Sequence, residues 1–322
     1  DCLVRATEFT HEQTPVASYL IGVTQASFRR SGGGYTRASL PTLEFTYSRA
    51  ELQSDLRTVD PQELAQLPQG LDGSAYQFID LFGEGVPGVL TEQAGAWYYR
   101  RNLSPLSLAH TRDTLGHDTV QGEARFGRLT PVGLQPSPGH LSGDQQLLDL
   151  AGDGRIDLVQ YAPPLSGYFA QEADGSWQRF TPFAQQPTLN WADPNLRHVD
   201  LTGDGFPDLL IARDQGFEWH PSLAREGFDA PHFVAHPPDD DDGPRRVFAD
   251  GAQSLYLADM NGDGLADLVH VRNGEVSYWP SLGYGRFGPR LSMDNAPVFD
   301  RPELFDPKRL RLADIDGSGV TD

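Results

Sequence analysis

Asp259-Met260-Asn261-Gly262-Asp263-Gly264-Leu265-Ala266-Asp267-Leu268-Val269 is the stretch from which the fold is read. Four other segments share its pattern: DLFGEGVPGVL from Asp80, DLAGDGRIDLV from Asp149, DLTGDGFPDLL from Asp200 and DIDGSGVTD from Asp314. Their first aspartates lie 69, 51, 59 and 55 residues apart. That period suits a propeller repeat, in which each blade is one supersecondary unit of roughly 40–50 residues.

The flanks repeat with the loops. A short strand-like stretch precedes each one: YQFID, QLLD, LRHVD, LYLAD and LRLAD. In the four complete repeats an apolar run follows, as in DLVQY, DLLIA and DLVHV. A turn such as Arg272-Asn273-Gly274 comes next, because short Asn-Gly sequences favour tight hairpins. A third, aromatic strand surrounds Trp97, Trp219 and Trp279, and a fourth holds Phe228 and Phe287, each 28 residues after its loop's first Asp. Four strands per repeat predict an all-β fold, a β-propeller of four-stranded blades with about five repeats present. Residues 71–322 are assigned to the blades, truncated at the C-terminal end. Residues 1–70 are assigned to an N-terminal β-strand module, reading SYLIGVTQASFRR, a Gly32-Gly33-Gly34 turn and LPTLEFTYS. A helical turn is expected near Pro61 to Leu67, since proline suits a first helical position. The chain stops inside a motif at Asp322, so the propeller is expected to continue beyond it, with any targeting signal outside this stretch.

Composition agrees. Among 322 residues there are 34 Gly and 25 Pro, which favours many turns over long helices. The 25 Lys and Arg against 45 Asp and Glu give a net charge of −20. So acidic a surface repels phosphate backbones and anionic lipid, which argues against nucleic acid as a partner. No apolar run approaches the roughly 20 residues of a membrane span, so no direct membrane insertion is expected. Cys2 is the single cysteine, which excludes an intrachain disulfide and a CxxC zinc site.

The loops carry the candidate chemistry. Calcium takes six to eight oxygen ligands, supplied in such loops from positions 1, 3, 5, 7 (a carbonyl) and 9, with Gly at 6. The loop from Asp259 meets this with Asp259, Asn261, Asp263, the carbonyl of Leu265, and Asp267. The last loop nearly does, with Asp314, Asp316, Ser318, Val320 and Asp322. The third offers Asp200, Thr202, Asp204, Phe206 and Asp208; the second keeps only Asp149, Asp153 and Asp157 around Ala151. In the first, Phe82 and Gly88 replace two ligands. The same residues also make good turns without metal, because Asp accepts backbone N–H bonds and Gly takes positive φ. Both readings stay open for the Asp259 loop, and the turn is favoured at Asp80. Any bound ion would be structural, since coordination filled by protein oxygens leaves no open position.

Other motifs carry less. GYGRFG, from Gly283 to Gly288, matches a dinucleotide fingerprint but lies between strands, with no helix to follow it. Asp239 to Asp242 reads as a solvated loop tip. Asn102-Leu103-Ser104 is a glycosylation sequon. His198, His220 and His270 show no metal-ligand spacing, and no hydrolase motif occurs.

At its loops and aromatic strands the chain resembles the FG-GAP/VCBS propeller repeats of integrin α-subunits. Three longer strings are more distinctive: SYLIGVTQASFRRSGGGYTRASLPTLEFTYS, LPQGLDGSAYQFIDLFGEGVPGVLTEQAGAWYYRRNL and DIDGSGVTD. In these the chain resembles the B component of bacterial tripartite insecticidal toxin complexes (Tc toxins) and the N-terminal part of related plasmid-virulence proteins. The resemblance implies a secreted, non-catalytic propeller with two partners. It would dock on the pore-forming A component, and it would join the C component in a shell around the cytotoxic segment, gating that segment's exit. A calcium-dependent adhesion module is the alternative, as is part of a virulence protein whose ADP-ribosyltransferase domain lies elsewhere. Ser104 to His140 and Pro237 to Arg246 are the candidate partner-contact loops.

Overall fold

The computed structural model describes residues 3–14, 18–47, 76–107, 109–112, 118–121, 124–133, 136, 145–161, 166–246, 248, 254–315 and 321. The chain divides into two compact units, Asp1–Glu51 and Leu52–Asp322. The module boundary expected at residue 70, and the helical turn expected near Pro61, lie outside the described residues.

The first unit is one antiparallel sheet. Strand β1 (Arg5–Gln13) pairs along β2 (Ser18–Ser31), with a bulge between Thr10 and His11. On the other side of β2 lie β3 (Gly34–Ser39) and β4 (Leu43–Glu44). The glycine turn falls where the sequence places it, with Gly32 at φ 58°.

The second unit contains four further four-stranded antiparallel sheets, each built on one repeat. Blade 1 comprises β5 (Tyr76–Ile79), β6 (Gly88–Gln93), β7 (Ala96–Arg100) and β10 (Thr130–Pro131). Blade 2 comprises β11 (Gln145–Leu148), β12 (Asp157–Gln160), β13 (Gly167–Phe169) and β14 (Thr181–Pro182). Blade 3 comprises β15 (Leu196–Val199), β16 (Asp208–Arg213), β17 (Gly216–His220) and β18 (His232–Ala235). Blade 4 comprises β19 (Leu255–Ala258), β20 (Asp267–Arg272), β21 (Glu275–Trp279) and β22 (Leu291–Ser292). The fold is thus all-β, as expected. The fifth four-stranded sheet is the N-terminal module, and the fifth loop opens a repeat that is only partly described.

In blades 2, 3 and 4 an isolated bridge joins residues six apart: Gln171 to Trp177, Ser222 to Phe228, and Ser281 to Phe287. In blade 1 the matching bridge joins Asn102 to Phe126, which are 24 apart. The 18 extra residues equal the excess of the first spacing over the second, 69 against 51. Blade 1 therefore carries an insertion at this one point, and the paired strands β8 (Ala109–Arg112) and β9 (Asp118–Gln121) form in it.

The core lies between blades, because the second strand of each blade has both faces covered. Side chains alternate across a strand. In β16, Leu209 and Ile211 therefore pack toward blade 2, with Leu150, Val159, Tyr161 and Tyr168. Leu210 and Ala212 pack toward blade 4, with Leu255, Leu268 and Trp279. This explains why the second strands read as unbroken apolar runs. Blades 1 and 2 meet over Leu81, Leu90, Trp97, Tyr99, Ile156 and Leu158. Burying each such side chain stabilises the fold by roughly 1.5–3 kcal/mol.

Beyond blade 4 the chain crosses to blade 1. Leu310 and Leu312 pack on the far face of blade 4, and the Tyr256 hydroxyl donates to the Pro307 carbonyl at 2.7 Å. A few residues on, Asn102 of blade 1 donates through Nδ2 to the Ile315 carbonyl at 3.0 Å, and Arg311 lies 5.9 Å from the Tyr76 ring. The opening of the fifth repeat thus touches both ends of the row of four blades.

Candidate functional site

Each of the four loops from Asp80, Asp149, Asp200 and Asp259 joins the first and second strands of its blade, which places these loops at one end of the strands. Their first aspartates act alike. Asp259 accepts the N–H groups of Asn261 and Gly262 on Oδ1, at 3.2 and 2.7 Å, and that of Gly264 on Oδ2, at 2.8 Å. Asp200 does the same for Thr202, Gly203 and Gly205. Asp149 serves Ala151, Asp153 and Gly154, while Asp80 serves Glu84 and Gly85. The glycines permit this winding with φ between 61° and 85° at Gly83, Gly85, Gly152, Gly154, Gly203, Gly205, Gly262 and Gly264. Position 5 closes a smaller turn: Asp153, Asp204 and Asp263 each accept the N–H two residues on, and Asn261 accepts that of Asp263.

Position 9 is buried. Asp157, Asp208 and Asp267 are at most 1% exposed at the start of the second strand. Asp267 accepts the Met260 N–H on Oδ2 at 3.1 Å and the Ser281 N–H on Oδ1 at 2.7 Å. Asp208 accepts those of Leu201 and Ser222, at 2.9 and 2.7 Å. Each carboxylate thus ties the loop to the start of the crossing between strands three and four. Burial, partly offset by these bonds, raises Asp208 to about 6 and Asp267 to about 7.

Blade 2 differs, and sequence reasoning missed the reason. Arg225, in the 3₁₀ turn Ala224–Glu226 of blade 3, reaches Asp157 across the seam with Nη2–Oδ1 at 3.0 Å and Nε–Oδ2 at 3.3 Å. It lies 3.7 Å from Asp153, which also pairs with Arg155 at 2.7 Å. Blade 1 repeats the theme, with Arg101 pairing to Glu84 at 2.8 Å. In the two loops poorest in calcium-type ligands, guanidinium groups supply the positive charge.

The loops also lean on one another. A Cβ added to Gly83 would stand 2.6 Å from the Gly154 carbonyl oxygen, one on Gly152 would meet that of Gly205 at 3.2 Å, and one on Gly203 would meet Leu265 at 3.4 Å. In all three pairs the fourth residue of one loop thus bears on the sixth or seventh residue of its neighbour. The GYGRFG stretch has the same structural role. The Tyr284 N–H donates to the Leu201 carbonyl at 2.6 Å, and Gly285 sits against the Trp219 ring.

Of the expected calcium ligands, Asp259, Asn261, Asp263, Leu265 and Asp267 share one loop, as do Asp200, Thr202, Asp204, Phe206 and Asp208. Asp314 is described, whereas Asp316, Ser318, Val320 and Asp322 lie outside the described residues. Among the described residues no three His, Cys, Asp or Glu side chains come together as a metal site. The donor types of the Asp259 loop suit a hard cation, and its aspartates already accept backbone N–H groups, Asp263 through Oδ1 alone. Asn102 of the sequon is buried and donates to Pro87 and Ile315 carbonyls. The segment from Pro237 to Arg246 is anchored to blade 4, through Trp279 Nε1 to the Asp240 carbonyl and the Arg290 N–H to the Asp241 carbonyl.

Comparison with known proteins gives a consistent picture. Residues 200–270 match the model of the FG-GAP-like repeat. No curated protein matches the chain. Among solved structures, a chain of the Photorhabdus luminescens Tc holotoxin pore is similar over 100% of this chain and 14% of its own length, at 30% identity and TM-score 0.55. The TcdB2–TccC3 structure is similar over 99% of this chain and 17% of its own, at 23% identity and TM-score 0.56, a likeness of fold. The present chain therefore spans about a seventh of the solved chains it matches. Its structural neighbours are Tc toxin complexes of the TcB–TccC type, and its repeats are FG-GAP-like.

Proposed function

We propose that this chain is the propeller part of the B component of a bacterial toxin complex. It acts as a secreted, non-catalytic module that docks on the pore-forming A component. Together with the C component, it gates the passage of the toxin. The observation that carries this reading is the match along the whole chain, at 30% identity, to a chain of the Tc holotoxin pore. The chemistry of the loops supports a scaffold. Their buried carboxylates hold backbone N–H groups and an arginine, which leaves rigid blades to present the connections between strands, as binding surfaces commonly are. The insertion in blade 1, with β8 and β9, breaks the repeat and is the segment we assign to partner contact. Calcium at the Asp259 loop is retained as a structural ion within this proposal.

The test is binding of the chain to immobilised A component by interferometry, with the intact B–C assembly as competitor. The reading expects binding that competes and survives EDTA. Binding abolished by EDTA transfers the chain to the calcium-dependent adhesion class, and no competition with B–C removes the docking assignment.

A further inference from the structure

The seam between blades 3 and 4 holds a polar cluster that the loops do not explain. His270 in β20 and Ser277 in β21 stand directly opposite each other. They are 2% and 0% exposed. Leu268 and Trp279, the next pair along the same face, belong to the core shared with blade 3, so this face looks into the seam. Ser292 of β22 pairs with Ser277, which by alternation brings Arg290 to the same face. Arg246 comes from the segment linking the blades and lies 5.9 Å from the Trp279 ring.

Four buried atoms here have no hydrogen-bond partner: His270 Nδ1, Ser277 Oγ, Arg246 Nε and Arg290 Nε. Leaving such groups unpaired costs about 1–3 kcal/mol each, so they are normally satisfied by protein, water or a ligand. The terminal nitrogens of both arginines are already paired, Arg246 with Asp240 at 2.9 Å and Arg290 with Glu275 at 2.7 Å. Burial and then the charge of Arg246 hold His270 neutral, with Arg272 and Arg290 adding to the positive field and Glu275 opposing it. Each guanidinium is balanced by its own carboxylate, so what sets this cluster apart is a group of buried N–H and O–H groups left without acceptors. Arg246 and Arg290 are partly exposed, and Arg246 also lines a groove with Pro238, Asp239, Asp240 and Arg245.

We propose that this seam is a binding site for a small oxyanion, of the sulfate or phosphate class, held by Arg246 Nε, Arg290 Nε, Ser277 Oγ and His270 Nδ1. An oxyanion presents several acceptors at once and takes charge-assisted bonds from guanidinium N–H groups, which are roughly twice as strong as neutral ones. A water offers two acceptor lone pairs, whereas one oxyanion can accept from all four groups at once.

The test is thermal unfolding of the whole chain in sulfate, against chloride at equal ionic strength. A site specific to the folded state raises the midpoint by about 3 °C at ten times its dissociation constant and then continues only logarithmically. Sulfate also stabilises proteins generally by exclusion from their surface, an effect that is shared by variants. The Arg246→Gln/Arg290→Gln pair, both at the partly exposed rim, should lose the specific part. Ser277→Ala should weaken sulfate about tenfold, whereas removing an unpaired hydroxyl from an empty seam would leave sulfate unaffected. A crystal soaked in selenate should show its anomalous peak between the four atoms. An equal sulfate response in the double variant, or water alone at the position, overturns the proposal.

Discussion

Arg225→Met tests whether guanidinium groups hold the seam between blades 2 and 3. The substitution keeps the apolar stem and removes both bonds to Asp157, at 3.0 and 3.3 Å. Asp157 is 0% exposed and keeps only the Leu150 N–H among its named partners. Stripping one partner from a buried ion pair typically costs 3–5 kcal/mol, because the other charge is left without compensation. Arg225 is itself 32% exposed, so part of its attraction is screened, and about 2–3 kcal/mol is the figure to expect. For a unit of this size that lowers the midpoint by about 6 °C. The sign of the pH dependence follows from Asp157, whose pKa is already raised by burial against the pull of Arg225. Without the arginine it rises further. A carboxyl whose folded pKa exceeds its unfolded value gains stability as pH falls through the folded value. The deficit of Arg225→Met should therefore be largest above neutrality and shrink toward pH 5 in urea unfolding. Adding Asp157→Asn should restore most of it, a coupling of about 2 kcal/mol. A deficit below about 0.5 kcal/mol at pH 7.5, or a double variant no better than the single, would refute the reasoning.

Three further outcomes are expected. Gly83→Ala and Gly85→Ala both place a side chain at positive φ, 70° and 83°, but only the first meets a neighbour, the Gly154 carbonyl oxygen at 2.6 Å. Urea unfolding should show about 1–2 kcal/mol for Gly85→Ala and a clearly larger loss for Gly83→Ala; equal losses would mean the loops do not bear on each other. Burial raises Asp267 to about 7, so it favours the folded state below that value and the advantage fades as pH climbs from about 4 to 7. Asp267→Asn should flatten this part of the stability profile, by up to about 4 kcal/mol, with Asp208, at about 6, contributing over a lower window. Calcium at millimolar concentration should raise the melting midpoint of the wild type and not of Asp263→Ala. Unchanged melting in the wild type would dismiss the ion and leave the loop as a turn.

Repetition made the fold legible. Five loops in register, the four complete ones followed by an apolar run and three of those by a strand around a tryptophan, have only one economical explanation, and the blades appear where those offsets put them. Even the irregular first spacing was an exact clue once Asn102 and Phe126 were recognised as the shifted pair. The chemistry of the loops was less legible, because one residue type answers two needs. Asp267 at position 9 is what a cation requires, and equally what the Ser281 N–H requires, 14 residues on. Ser222 stands at the same offset from Asp208, so this second partner was present in the repeat but carries no motif of its own. Arg225 was out of reach altogether, since 68 residues separate it from Asp157 and no other blade has arginine at its position. Contacts within a repeat leave a periodic trace, whereas a contact made once across a seam leaves none. The blades could be counted from the sequence for that reason, and the pairing that distinguishes one seam from the next, Arg225 with Asp157, could not.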